Sequence, residues 1–280
     1  TNEIIFTSGA TESNNLAIKG VVKTLRHAQG LKSRPHIITT QIEHHCVLET
    51  CKALEKDGSA EISYVPVSLD GLVETSEIEK AIKDNTILVS IMYVNNEIGA
   101  IQPIKEIGQL IRSVNKKRVS KIIFHTDAVQ AVNYLNCQVN DLGVDLLSIS
   151  GHKIYGPKGV GVSYIKEGTL ISRIQDGGEQ EYNLRAGTHN TPGIVGLGET
   201  ISLIESKTNT QSLRDKLIDG VLKNVPNAKL NGMRLKRLSN NANFSFLGAE
   251  GEAIMMALDL EGIAVSTGSA CASVSLEPSH

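Results

Sequence analysis

The chain has 280 residues, of which 40% are hydrophobic and 21% charged, and its formal net charge is −2. This composition is ordinary for a globular protein, and the small net charge gives no reason to expect a nucleic acid or an acidic membrane surface as a partner. No run of 18 apolar residues is present, so no membrane span is predicted. Four scattered cysteines do not suit a disulfide framework and favour a reducing compartment.

Short β-branched runs alternate with helical periodicity over the first 205 residues. The predicted strands are residues 4–6, 37–40, 62–65, 87–93, 122–126, 146–149 and 160–164. The predicted helices are residues 11–25, 47–56, 74–82, 104–114 and 192–204. Such alternation is typical of a mostly parallel sheet with helices on both faces. We therefore predict an α/β large domain over residues 1–205.

A polar stretch at residues 205–210 separates this block from the rest. It is followed by a predicted helix at 213–222, a strand at 243–247, a helix at 250–260 and a short strand at 263–265. This order predicts a smaller α+β domain over residues 206–280, incomplete here. The first residues predict a strand and no targeting peptide, and the last ones a loop, so we expect a piece of a longer chain.

Residues 6–14 (FTSGATESN) predict the end of a strand, a tight turn at Gly9 and a helix that begins near Thr11. The N-terminus of a helix offers free N–H groups and the positive end of the helix dipole, which suit a phosphate. An ordinary helix cap at Ser8 or Thr11 explains the segment equally well.

Residues 149–159 (ISGHKIYGPKG) contain two glycines at the spacing of a nucleotide-binding P-loop. Pro157 excludes that interpretation, because proline has no N–H to donate to a phosphate. Lys153 follows a predicted strand and can form a Schiff base with an aldehyde cofactor, while Ser150 and His152 bind its phosphate. A surface lysine in a glycine loop is the alternative.

Asp127 stands at the carboxyl end of an apolar strand, where open α/β sheets bind their ligands. A carboxylate beside a pyridine nitrogen keeps that nitrogen protonated, because an opposite charge favours the charged form. A helix-capping aspartate is the alternative here.

Seven motifs occur in the order that they have in one enzyme family. They are residues 8–14 (SGATESN), 43–44 (EH), 94–99 (VNNEIG), 127–130 (DAVQ), 150–153 (SGHK), 185–188 (RAGT) and 266–271 (STGSAC). With them the chain resembles the cysteine desulfurases, in the class V aminotransferase group of fold-type I pyridoxal-phosphate (PLP) enzymes. Residues 36–41, 46–48 and 148–161 are most similar to the mitochondrial branch that serves iron–sulfur assembly.

The resemblance implies a role for each matching residue. Lys153 would hold the cofactor as a Schiff base, Asp127 would pair with the pyridine nitrogen, and Gln130 would bind the ring hydroxyl. His44 would stack on the ring and move protons, and Asn96 would lie near the ring and the substrate carboxylate. The residues implied to bind the phosphate are Ala10, Thr11, Ser150, His152 and, from the second subunit of a homodimer, Thr188.

Cys271 lies in the small, polar segment 266–275, which we expect to be mobile. The resemblance implies that its thiolate takes sulfur from L-cysteine as a persulfide, releases alanine, and passes the sulfur to an iron–sulfur scaffold or to tRNA thiolation. The location would be the mitochondrial matrix of a eukaryote, or otherwise the cytoplasm. No resident metal is expected, and Cys271 would at most ligate a cluster transiently.

The alternatives are a related PLP enzyme, either a selenocysteine lyase or an aminotransferase, and a catalytically incomplete fragment. The incomplete fragment is an alternative because the arginine that binds the substrate carboxylate in this family lies beyond the position of residue 280. The other cysteines, Cys46, Cys51 and Cys137, are predicted to be small buried hydrophobic residues.

Overall fold

A seven-stranded sheet forms the centre of the computed structural model, which describes residues 2–28, 34–204 and 210–268. The strands are β1 (Ile4–Thr7), β2 (His36–Thr40), β3 (Glu61–Val65), β4 (Thr86–Ser90), β5 (Ile123–Asp127), β6 (Leu146–Ser150) and β7 (Gly161–Ile165). Their order across the sheet is β1-β7-β6-β5-β4-β2-β3. The pairs among β2 to β6 are parallel, and β7 lies antiparallel between β6 and β1. The predicted mostly parallel α/β fold is confirmed.

Helices cover both faces of this sheet. They are α1 (Ala10–Ala28), α2 (His45–Lys56), α3 (Thr75–Ala81), α4 (Ile104–Lys116), α5 (Val139–Leu142), α6 (Gln180–Asn183) and α7 (Thr191–Ser202). Ile37 packs with residues of α1 and α2, whereas its neighbour Ile38 packs with residues of α3 and α4. Successive residues of a strand point to opposite faces, so each inner strand contributes to two hydrophobic cores.

The predicted strand at residues 87–93 is too long, because β4 ends at Ser90. The N–H of Met92 donates to both carboxylate oxygens of Glu43, at 2.9 and 3.0 Å, instead of to a neighbouring strand. Pairing with β2 therefore ends before Met92, whereas the N–H groups of Ile91 and Tyr93 still donate to carbonyl oxygens of β5, at 3.1 and 2.9 Å.

Beyond the large sheet, the described residues 210–268 form α8 (Gln211–Asn224), β8 (Ala228–Leu230), β9 (Phe244–Phe246) and α9 (Gly251–Leu260). Strands β8 and β9 pair as an antiparallel ribbon. The short strand predicted at 263–265 is wrong: Ile263 and Val265 are about half exposed and pair with no strand of the described residues. The domain boundary at residue 205 stays a prediction. No helix in the described part of the chain is both long and apolar enough to span a membrane.

Candidate functional site

A cavity of about 500 Å³ lies where the loops that follow β1, β2, β4, β5 and β6 converge. Parallel strands end at the same edge of a sheet, which explains why segments far apart in sequence meet there. Nine of the predicted site residues line this cavity. They are Ala10, Thr11, His44, Asn96, Asp127, Gln130, Ser150, His152 and Lys153.

The first turn of α1 forms one end of the cavity. The helix begins at Ala10, so the residue before it is Gly9, which has no side chain with which to cap the helix. The N–H groups of a first turn have no acceptor within the helix, and they remain available to an anion. Gly9 has a φ of 153°, which other residues rarely adopt, so the tight turn before the helix requires glycine. The alternative of a cap by Ser8 or Thr11 is not what the structure has.

Ser150 and His152 complete this polar end. The Ser150 hydroxyl lies 2.9 Å from Nδ1 of His152. Partial burial, and then the charges of Lys153 and Lys158, lower the pKa of His152. The imidazole is therefore neutral at neutral pH and can donate one N–H to a phosphate oxygen.

Asp127 ends β5 and is only 6% exposed. Its carboxylate accepts hydrogen bonds from Nδ2 of Asn14 at 2.6 Å and from the N–H of Val129 at 3.0 Å. Burial raises its pKa, although these hydrogen bonds and the nearby His44 act against that rise. No lysine or arginine of the described residues forms an ion pair with it. A buried carboxylate in this state favours a ligand that brings a cationic N–H.

Lys153 lies on a short 3₁₀ turn, Gly151–Ile154, directly after β6. Its side chain is exposed and lines the cavity, so a small molecule can reach the amine. A Cβ on Gly151 would meet the Pro157 carbonyl oxygen and the Val160 side chain at 3.0 Å, which explains the glycine before the turn.

A buried glutamate holds two walls of the cavity together. Glu43 is fully buried and accepts from the Thr40 hydroxyl at 2.7 Å as well as from Met92 N–H. Burial raises its pKa to about 8. It joins the loop after β2, which carries His44, to the loop after β4, which carries Asn96. Sequence reasoning assigned it no role.

His44 precedes α2 and caps it, because Nδ1 accepts the N–H of Cys46 at 3.2 Å. The same ring also lines the cavity. Cys46 lines it as well and is only half buried, in contrast to the fully buried Cys51. The prediction of a plain core residue therefore holds for Cys51 and is incomplete for Cys46.

Two of the predicted site residues, Thr188 and Cys271, are not among those that the structure places around the cavity. Thr188 is exposed and is not among the residues around the cavity, and Cys271 lies outside the described residues. The loop of Thr188 is tied to the start of α1 by an ion pair of 2.9 Å between Arg185 and Glu12. The hydrogen bonds from Arg185 and Ser8 lower the pKa of Glu12 although partial burial opposes them.

These residues fit PLP. A helix N-terminus, the hydroxyls of Thr11 and Ser150 and the neutral imidazole of His152 suit its phosphate. Asp127 suits its ring nitrogen, and Lys153 suits its aldehyde.

The model of the family "Aminotransferase class-V" matches residues 1–280. A cysteine desulfurase IscS of Clostridium botulinum is 51% identical over 100% of this chain and 69% of its own length. A mouse cysteine desulfurase is 46% identical over 99% of this chain and 59% of its own length. The structure of a NifS-like protein superposes with a TM-score of 0.87 at 38% identity, over 95% of this chain and 71% of that one. The chain therefore belongs to the cysteine desulfurases of the class-V aminotransferase family, which use pyridoxal phosphate as their cofactor.

Proposed function

We propose that this chain removes the sulfur of L-cysteine, with PLP bound through Lys153, and passes it by way of Cys271 to an iron–sulfur scaffold protein. The observation that carries the proposal is the cavity of about 500 Å³ that joins a helix N-terminus, a buried aspartate and an accessible lysine. Together with membership of the cysteine desulfurases, this combination supports the substrate and the reaction.

When bound, PLP supplies an aldehyde for amines and a ring that draws electrons from the substrate Cα. Asp127 would hold a proton at the ring nitrogen, which its buried position makes favourable. The first turn of α1, with Ser150 and His152, would hold the phosphate. Lys153 would first bind the aldehyde and, once the substrate amine has replaced it, move the proton from Cα through Nζ.

Cys271 would then act as the sulfur acceptor. Its thiolate attacks the substrate sulfur, an S–S bond forms, and the Cβ–S bond breaks with its electron pair left on Cβ. Protonation of Cβ gives alanine, and the sulfur stays as a persulfide on Cys271. The serine, glycine and alanine residues before Cys271 suit a carrier that must reach first the cavity and then a second protein.

Thr188 supports a homodimer in this proposal. It is exposed in a loop that Arg185 anchors near the phosphate end, and Gly187 before it has a φ of 106°. Such a residue is available to the phosphate of a second subunit. We place the protein in the mitochondrial matrix of a eukaryote, or otherwise in the cytoplasm.

The test is to locate the covalent site of PLP. Borohydride reduction of the loaded protein, followed by peptide mapping, should give one adduct on Lys153 and none in Lys153→Ala. Lys158 also lines the cavity and is the natural competitor. Lys153→Ala should lower alanine formation from cysteine by about 10²–10⁴-fold, the usual effect of losing a positioned proton-transfer group.

An adduct on Lys158, or none in the parent protein, would overturn the assignment. If the parent formed alanine from selenocysteine but not from cysteine, the protein would be a selenocysteine lyase instead.

A further inference from the structure

A chain of hydrogen bonds runs along one side of the cavity from His44 to Asp127. Nδ1 of His44 lies 3.0 Å from Sγ of Cys46. Sγ of Cys46 lies 3.1 Å from Nδ2 of Asn14, and the same Nδ2 donates to Asp127 at 2.6 Å. Two residues that face the cavity are thus joined through two residues without an assigned role.

The direction of each bond follows from the donors. The backbone N–H of Cys46 can only donate, so Nδ1 of His44 is an acceptor. Burial raises the pKa of the Cys46 thiol to about 12, so the thiol keeps its proton and donates it to the same Nδ1. Nδ2 of Asn14 has two protons, one for the carboxylate of Asp127 and one for the sulfur. In the neutral form of the His44 ring the proton therefore lies on Nε2.

We propose that Cys46 and Asn14 are positioning residues, whose side chains fix the orientation of the His44 ring and of the Asp127 carboxylate. The inference rests on the proposed function, because it concerns residues that would face the cofactor. It assigns Cys46 no chemistry with the substrate.

Packing alone does not explain these two side chains. Asn14 is completely buried, and a buried amide costs free energy unless it is hydrogen-bonded, so an apolar residue would serve a plain helix–sheet contact better. Cys51, five residues later in the same helix, is an example of a cysteine that serves packing, because it is fully buried within the hydrophobic core. Cys46 instead spans the gap between two polar groups.

The first test observes His44 in the apoprotein, so it needs no cofactor. Selective ¹⁵N labelling of histidine gives the Nδ1 resonance of His44, which is identified by its loss in His44→Asn. Cys46→Ala removes the S–H donor and should shift this resonance, whereas Cys46→Ser keeps a donor and should leave it near the parent position. Cys51→Ala is the matched control, since it removes a buried thiol from the same helix without touching His44.

The second test measures the affinity of the apoprotein for PLP. Asn14→Ala should weaken binding about tenfold, or about 1.4 kcal/mol, because Asp127 loses its side-chain hydrogen bond. The control is Asn15→Ala, whose amide donates to the Thr11 carbonyl oxygen on its own helix. Asn14→Leu keeps the branched shape of the side chain without its hydrogen bonds and serves as the second variant if Asn14→Ala does not fold.

An unchanged Nδ1 resonance in Cys46→Ala, or equal PLP affinity in Asn14→Ala and Asn15→Ala, would overturn the inference. A shift that Cys46→Ser fails to prevent would also overturn it, because packing rather than a donor would then be responsible. A parent apoprotein that binds no PLP would refute the proposed function instead. The result with Cys46 would not be affected, because that test uses the apoprotein.

Discussion

The acid sensitivity of this fold can be predicted from two buried histidines in the central sheet. His125 is completely buried, with its ring nitrogens 2.8 Å from the Ser90 hydroxyl and 3.1 Å from that of Ser148. Burial lowers its pKa to about 3. His36 is equally inaccessible, and burial, followed by the charge of Lys83, lowers its pKa to about 4.

These pKa values determine how much unfolding free energy the protein loses in acid. An unfolded histidine takes up a proton near pH 6.5, while the folded protein does not until far lower pH. The unfolded state therefore binds more protons below pH 6.5, and the stability present above that pH is lost as the pH falls toward 4 and 3. At pH 5.0, which is 1.5 units below 6.5, each histidine should cost about 2 kcal/mol of unfolding free energy, at about 1.36 kcal/mol per unit.

The perturbation is His125→Gln, which retains a donor and an acceptor but does not titrate. Urea unfolding at fixed protein concentration gives the free energy at pH 7.5 and at pH 5.0. The variant should lose about 2 kcal/mol less than the parent between these two values, and His36→Gln should show a similar difference. Between pH 7.5 and 8.5 parent and variants should change alike, because neither histidine titrates there. Equal losses between pH 7.5 and 5.0 would show that His125 does not stay neutral in the folded protein.

The remaining predictions concern the proposed reaction. Cys271→Ser should abolish persulfide formation and sulfide release but still let cysteine change the absorbance of the bound cofactor, since the thiol acts only after substrate activation; full activity would mean that another group takes the sulfur. Thr188→Ala should weaken PLP retention about fivefold, the effect of one hydrogen bond, as followed by dialysis and absorbance. Mixing Thr188→Ala with Lys153→Ala subunits should create one intact site per dimer and restore part of the activity; a monomer that holds PLP tightly would contradict the shared site.

Asp127 and Lys153 could be inferred from their places at the ends of strands, whereas most other residues around the cavity were implied only by the resemblance to a family. Asp127 and Lys153 each follow a run of apolar, β-branched residues, and a parallel sheet brings such positions to a common edge. The strand order itself was not predictable, because the antiparallel insertion of β7 between β1 and β6 depends on long-range pairing that periodicity does not encode.

The residues that support the site escaped prediction for a different reason. Glu43 and Asn14 were visible in the motifs, but nothing in their spacing tells which backbone or side chain each would meet. Glu43 meets Met92, 49 residues away, and Asn14 meets Asp127, 113 residues away. A polar residue within such a motif can equally face a ligand or support a neighbouring residue, and only the fold distinguishes the two.

Supporting residues of this kind explain how the buried carboxylate of Asp127 is stabilised beside the cavity. Asp127 loses hydration on burial, and it can remain a useful carboxylate only if fixed donors replace water. Asn14 and the Val129 N–H supply those donors before any ligand arrives. The first turn of α1 offers its N–H groups in the same prearranged way at the other end of the cavity. A ligand with a phosphate at one end and a basic ring nitrogen at the other therefore meets donors and acceptors that need little rearrangement, and its binding free energy is not spent on ordering the protein.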